Sequence, residues 1–369
     1  ITRYGKPIKV GVITVPGFYQ DIAAQTAGDE NARSTTRDVR KLIRELKSEN
    51  IDGLVMDLRD DGGGYLPEAT ALTGLFIDKG PVVQLKDTTG RLEVLDDPDP
   101  GIEYDGPLAV LVNRTSASAS EIFAAAIQDY HRGPIIGSTT YGKGTVQTLV
   151  DLNRYIPGDD DAGQLKLTIE KFYRVNGAST QRKGVTPDIT LPSSIDTSEF
   201  GEETQDSALP WDQIAATDYS PLHLGLDQAL PKLREYHDKR IAHDKSWALY
   251  LEQLKQYEAQ RDEKSVSLVL AERKQQRADQ DKQQLAMANA WRQLQGLPPA
   301  TTLEAAYKSA RNDKVSGGTD EDTGASPDDS DNGLEPDVLL DATARTVIDM
   351  KQLGVGSLPA GAAAPPDKH

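Results

Sequence analysis

Three serines alternate with alanines at Ser116-Ala117-Ser118-Ala119-Ser120, and farther on a single lysine stands between glycines, Gly142-Lys143-Gly144. Glycines on both sides of a lysine permit the close backbone approach that burying it requires. Burial disfavours the ammonium form and lowers the lysine pKa, so that the amine can accept a proton near neutral pH. A serine beside such a lysine is a nucleophile with its general base, and the lysine can return the proton to a leaving amine. Taken alone, a lysine in a glycine turn is an ordinary surface feature. Taken alone, Ser118 followed by Glu121 is a capping box at a helix start. The two readings of the serine are compatible, because a helix start exposes backbone N–H groups that stabilise an oxyanion. Asp61-Gly62-Gly63-Gly64 is either a tight turn or a second source of such donors. Spacing does not choose among Ser116, Ser118 and Ser120.

Other chemistries lack their residues. There is no cysteine, which removes disulfides, thiolate metal sites and a thiol nucleophile. Of the five histidines, His223, His237 and His243 fall in polar helical sequence and His369 is the last residue. His131 ends an Ala-rich helix, where an imidazole favours the helix dipole. A Ser-His-Asp triad is therefore poorly supplied. No HExxH or paired histidine spacing exists for a metal, and Asp159-Asp160-Asp161 reads as a solvated loop. Gly137 to Lys143 matches the first part of a P-loop, but Gly144 stands where Ser or Thr must reach Mg²⁺. The residues that follow are strand-like, whereas a P-loop must open a helix.

These residues need elements to hold them. Ile8 to Val15, Gly53 to Leu58, Pro81 to Leu85 and Leu108 to Val112 read as strands. Ser34 to Glu49 and Ser118 to Tyr130 read as helices, the first with Val39, Leu42, Ile43 and Leu46 on one face. Gln164 to Lys183, with Asn176-Gly177 at its centre, reads as a β-hairpin. Strands alternating with helices predict an α/β core over residues 1–195. Residues 196–220 read as a linker or lid. Residues 221–369 read as an all-α domain, with helices at 227–243, 246–262, 264–294 and 339–353. Within it, 313–335 holds eight acids and one lysine, a composition that predicts disorder. The polar helices read as solvated surface, with an arm for an adaptor protein as the second reading.

The chain has 58 acidic and 41 basic residues, a net charge of -17. That balance argues against nucleic acid, whose phosphates need clustered cations. No apolar run reaches the roughly 18 residues of a membrane span.

Four segments together, LRDDGGGYLPEA, NRTSASASEIFAAAIQDY, YGKGTVQ and KFYRVNGASTQRKGVTPDI, resemble the carboxyl-terminal processing, or tail-specific, protease family of serine–lysine peptidases of the S41 type. The resemblance continues through the acidic helical half. It implies a ClpP/crotonase-like α/β core followed by the all-α domain. By the same resemblance the nucleophile is Ser118, the base Lys143, and the oxyanion donors the N–H groups of Gly64 and Ala119. Gln147 suits the third place, since positions i and i+4 of a strand share a face. Asp129 lies on the helix face of Ser118 but about 16 Å along the axis, and is read as structural support. The family carries a PDZ domain ahead of these motifs, and no PDZ carboxylate-binding loop is recognisable, so a fragment without it is expected. The resemblance implies hydrolysis of proteins with exposed apolar C-termini, in the periplasm of a Gram-negative bacterium, with neither cofactor nor metal. The alternatives are a crotonase-like acyl-CoA enzyme and an inactive protein-binding scaffold.

Overall fold

A computed structural model describes residues 1–3, 6–29, 31–99, 101–156, 161–307 and 335–359. After a two-stranded start, β1 (Thr2–Arg3) with β2 (Lys6–Pro7), a parallel sheet is laid down by β3 (Val10–Thr14) and β4 (Gly53–Asp57). β7 (Leu108–Val112), β8 (Ile135–Gly137) and β11 (Ile189–Thr190) extend it in the order β11-β8-β7-β4-β3. Every residue of β4 and β7 is buried, as expected of central strands covered on both faces. A second, antiparallel sheet has the order β6-β5-β10-β9, from β5 (Pro81–Asp87), β6 (Leu92–Asp96), β9 (Thr145–Asp151) and β10 (Gln164–Tyr173).

Among the helices of this part, α1 (Ile22–Thr26) is a short turn and α2 (Thr35–Ser48) starts where the sequence predicts. The Ser34 side chain caps α2 by accepting the Arg37 N–H, and Val39 and Ile43 are buried beneath it. α3 (Leu66–Gly74) packs beside α4 (Ala119–Asp129), with Phe76 and Phe123 meeting edge to face at 5.7 Å. Nearly all of α4 is buried, which its Ala-rich composition permits.

One expectation changes. The Asn176-Gly177 turn forms, with Ser179 bridging back antiparallel to Tyr173, but the segment to Lys183 does not continue as a strand. β10 pairs instead with β5 and β9, and the segment after Asn176-Gly177 turns inward, where Thr180 and Gln181 are fully buried. There Gln181 accepts the Gly144 N–H and Thr180 donates to the Lys143 carbonyl, while the Gln181 amide donates to Glu202 and the Leu209 carbonyl. By their contacts the described residues fall into two compact units. The described residues of 1–236 and 342–359 form one unit and those of 237–341 the other, so the division falls within α5 (Leu226–Ile241) and α8 (Val338–Leu353). In the first unit the fully buried Arg132 donates to the carbonyls of Phe76, Tyr104, Gly106 and Gly356, and Lys351 pairs with Asp52. Four carbonyl acceptors offset the cost of burying a guanidinium and tie the C-terminal segment down. Segment 196–220 is ordered, with Phe200 accepting from Arg114 and Trp211 donating to the Ser179 carbonyl.

The second unit is built on α6 (Lys245–Arg261) and α7 (Leu270–Leu294). Trp291 is buried and its indole N–H donates to Gln253, while His237 packs edge to face on Trp247. Most of the acidic segment 313–335 lies outside the described residues.

Candidate active site

β4 and β7 are neighbours running in the same direction, so the loops leaving their carboxyl ends lie side by side. The first carries Asp61 to Gly64 and the second Ser116 to Ser118. Gly63 has φ +97°, and a Cβ there would sit 2.7 Å from the Ala117 carbonyl oxygen and 2.8 Å from Ser118 Cβ. A side chain at this position would push the two loops apart, which is why position 63 is glycine. Gly64 is clamped by Phe18, whose N–H donates to the Gly63 carbonyl and whose carbonyl accepts the Tyr65 N–H. Among the described residues neither the Gly64 N–H nor the Ala119 N–H donates to a protein acceptor.

Ser118 is the N-cap of α4, with φ 58° and ψ −112°. A non-glycine residue in this region costs about 1–3 kcal/mol and is held only when its surroundings fix it. Ser116 and Ser120 are both fully buried, their hydroxyls donating to the carbonyls of Leu58 and Asp61. Ser118 is half-buried and lines a cavity of ≈ 600 Å³, so of the three serines it is the one that meets open space. The same cavity is lined by Gly64, Ala119, Lys143 and Gln147, and its apolar wall includes Leu66, Ile122, Val146 and Phe172.

Lys143 lies at the end of a loop that leads into β9, a strand and not a helix, consistent with rejection of a P-loop. Its amine donates to the Gln147 Oε1 at 3.2 Å, and the Gln147 amide lies 3.4 Å from Thr168 Oγ1. Burial lowers the Lys143 pKa from the usual lysine value, helped by the nearby cation of Lys166. The loop is fixed from both sides. Glu121 accepts the N–H groups of Gly142 at 2.7 Å and Lys143 at 2.9 Å, and the Thr140 hydroxyl at 2.6 Å. The same carboxylate accepts the Ser118 N–H at 2.9 Å. Gln181 accepts the Gly144 N–H at 2.8 Å, and the Arg182 N–H donates to the Gly142 carbonyl. Burial pushes Glu121 up to about 7, while its four donors pull in the opposite direction.

Asp61 is fully buried, and burial pushes its carboxyl up to about 6; one oxygen accepts the Gly63 N–H at 2.8 Å and the other has no partner among the described residues. Asp129 does not line the cavity. It takes two hydrogen bonds from Arg174 and one from Asn176, the shortest at 2.6 Å. No histidine lines the cavity, and His131 pairs with Asp227 at 3.0 Å. Among the described residues no three His, Asp or Glu side chains are grouped as a metal site. Asp159 and Asp160 lie outside those residues, and Asp161 accepts from Asn153 and Gly163.

Glu121, Thr140 and Gln181 form the support that sequence reasoning did not assign. The capping box pointed to one oxygen of Glu121. Nothing in spacing pointed to its partners in the Lys143 loop.

Two family models cover nearly the whole chain. Residues 9–191 match Peptidase family S41, and residues 195–352 match the C-terminal domain of tail specific protease. The chain is 46% identical over 260 residues to a tail-specific protease of Haemophilus influenzae, covering 69% of this chain and 35% of that one. It is 34% identical over 162 residues to a chloroplastic C-terminal processing peptidase of Tetradesmus obliquus, covering 44% and 33%. The solved photosystem II D1 C-terminal processing protease is similar at 32% identity and a TM-score of 0.41, covering 51% of this chain and 44% of that one. The chain spans about a third of the length of the curated relatives it matches. Among the described residues no helix is long and apolar enough to cross a membrane. The fold is a mixed α/β core with a helical C-terminal region, and the chain belongs to peptidase family S41, the tail-specific and C-terminal processing serine proteases.

Proposed function

We propose that this chain is the catalytic part of a serine endopeptidase that uses a Ser118–Lys143 dyad. The observation that carries this is one cavity lined by both residues, with the Lys143 amine donating to Gln147. Neutral Lys143 takes the Ser118 hydroxyl proton as Oγ attacks the scissile carbonyl. The N–H groups of Gly64 and Ala119 receive the negative charge that develops on the carbonyl oxygen. Lys143 then passes its proton to the leaving amine, and water, deprotonated by the same lysine, hydrolyses the acyl-enzyme. Gln147 orients the amine. Asp129 supports the fold through Arg174.

The substrates proposed are proteins with exposed apolar C-terminal tails, which suit the apolar wall of the cavity. The periplasm of a Gram-negative cell is the proposed location, supported by the Haemophilus relative. The helical unit is proposed to receive an adaptor protein. The proposed division of labour keeps residues 1–195 as the protease core.

A fluorophosphonate probe tests the nucleophile. A covalent adduct should form on the peptide containing Ser118 and be absent from Ser118→Ala. An adduct on another serine, or one that survives that substitution, contradicts the proposal.

A further inference from the structure

The cavity wall is unusual for so acidic a chain. Among the described residues no acidic side chain lines the cavity, whereas two lysines do, Lys143 and Lys166. Lys143 has a partner in Gln147. Lys166 is exposed, and among the described residues its side chain forms neither an ion pair nor a hydrogen bond. The sheet sets its direction. β10 pairs with β9 so that Lys166 faces Leu149 and Thr168 faces Gln147, and residues i and i+2 of a strand share a face. Lys166 therefore stands on the Gln147 side of the sheet, one step along the strand from the Thr168 that neighbours Gln147.

An ammonium with no internal counterion, on a cavity wall that no described acid lines, is placed to receive an anion. It also carries the full positive charge of the site while Lys143 is neutral. From this juxtaposition we infer that Lys166 is a specificity-determining residue that receives a carboxylate of the bound polypeptide. This rests on the proposed peptidase site and deepens it by naming a charged feature of the substrate. The carboxylate comes either from an acidic side chain near the scissile bond or from the chain's own C-terminus. Both present the same group to the ammonium. The cation's second effect, opposing protonation of Lys143, agrees with the lowered basicity of that amine.

Fluorescent peptides of one apolar sequence test this in two arms. In the first, an internal Glu is compared with Gln in C-terminally amidated peptides. In the second, a free C-terminus is compared with an amide at constant internal Gln. Binding is read by anisotropy with the Ser118→Ala chain, and turnover with the parent chain. The acidic member of at least one pair should bind about 2- to 5-fold tighter at low salt, as expected for an exposed pair, and lose the advantage at high salt. Above the rising limb of the pH profile, where Lys143 is already neutral, the gain should appear in KM and not in kcat. Lys166→Met should abolish the preference, Lys166→Glu should reverse it, and Lys166→Arg should keep it. Response in only one arm identifies the source of the carboxylate. Equal binding of both pairs, or a preference that persists in Lys166→Met, overturns the inference. Cleavage without a charge preference leaves the Ser118–Lys143 proposal standing. A charge preference without any cleavage does the reverse.

Discussion

Glu121 accepts the backbone N–H of Lys143 at 2.9 Å while the same buried carboxylate holds the backbone N–H of Ser118, also at 2.9 Å. The helix that begins at the serine thus supplies the group that seats the lysine loop. Glu121→Gln keeps the size but turns one oxygen into an N–H donor facing other donors. It should destabilise the fold by about 1–3 kcal/mol, the cost of leaving buried donors unpaired. Urea denaturation of parent and variant checks this, and an unchanged midpoint would contradict it.

Two buried carboxyls beneath the site set a pH dependence of stability. Asp61 is raised from 3.8 to about 6 and Glu121 from 4.5 to about 7, each chiefly by burial. The folded chain therefore binds protons more tightly than the unfolded chain between about pH 4 and 7. Their contribution is greatest at the acid end of that window and declines as pH rises through it. Asp61→Asn should flatten the slope between about pH 4 and 6 and leave it unchanged above 7. Denaturation curves across that range in both proteins read the difference.

Gln147 offers the Lys143 amine an acceptor at 3.2 Å. Removing it in Gln147→Ala frees the amine to leave its direction of attack. The expected result is a kcat lower by about 10- to 100-fold with little change in KM, since misplaced catalytic groups lose rate more than binding. An unchanged kcat would dismiss the orienting role.

The lowered basicity of Lys143 predicts a rising limb in the pH profile of kcat/KM. Activity should increase as the amine loses its proton, at a pH below the ordinary lysine value of 10.5. A bound anion at Lys166 or its substitution by Met should move that limb to higher pH. A profile flat from pH 5 to 9 would exclude a titrating lysine base.

Gly63→Ala places a Cβ against the Ala117 carbonyl and Ser118 at a φ of +97°. The strain falls on the contact between the donor loop and the serine turn. Labelling of Ser118 by a fluorophosphonate should slow by about 10-fold or more while far-ultraviolet circular dichroism stays that of the parent. Undiminished labelling would mean that the contact does not organise the site.

The regular elements were legible because local patterns decide them. Leu108–Val112 and the Ser34-capped helix stand where periodicity and capping residues put them. The segment after Gly177 was misread as a strand because its turn signal is local, while the hydrogen bonds of Gln181 and Thr180 to the Lys143 loop are long-range. The same reason hid the reach of Glu121 to Gly142 and Lys143. Spacing left Ser116, Ser118 and Ser120 equal; burial separates them, with two hydroxyls spent on the carbonyls of Leu58 and Asp61. The return of the segment after Ala342 to the first unit depends on Arg132 and Asp52, residues far away in sequence. Strand periodicity suggested that Gln147 shares a face with Lys143; Lys143 lies just before β9, and its amine donates to the Gln147 Oε1 at 3.2 Å.

The central claim is that Ser118 and Lys143 act as one unit. Degradation of an unfolded protein with an apolar C-terminus should be measured with the parent chain, Ser118→Ala and Lys143→Ala, each checked for folding. Cleavage by the parent, with loss in both variants to the same background, is the predicted result. Equal cleavage by all three, or activity retained in the folded Lys143→Ala chain, would contradict the dyad.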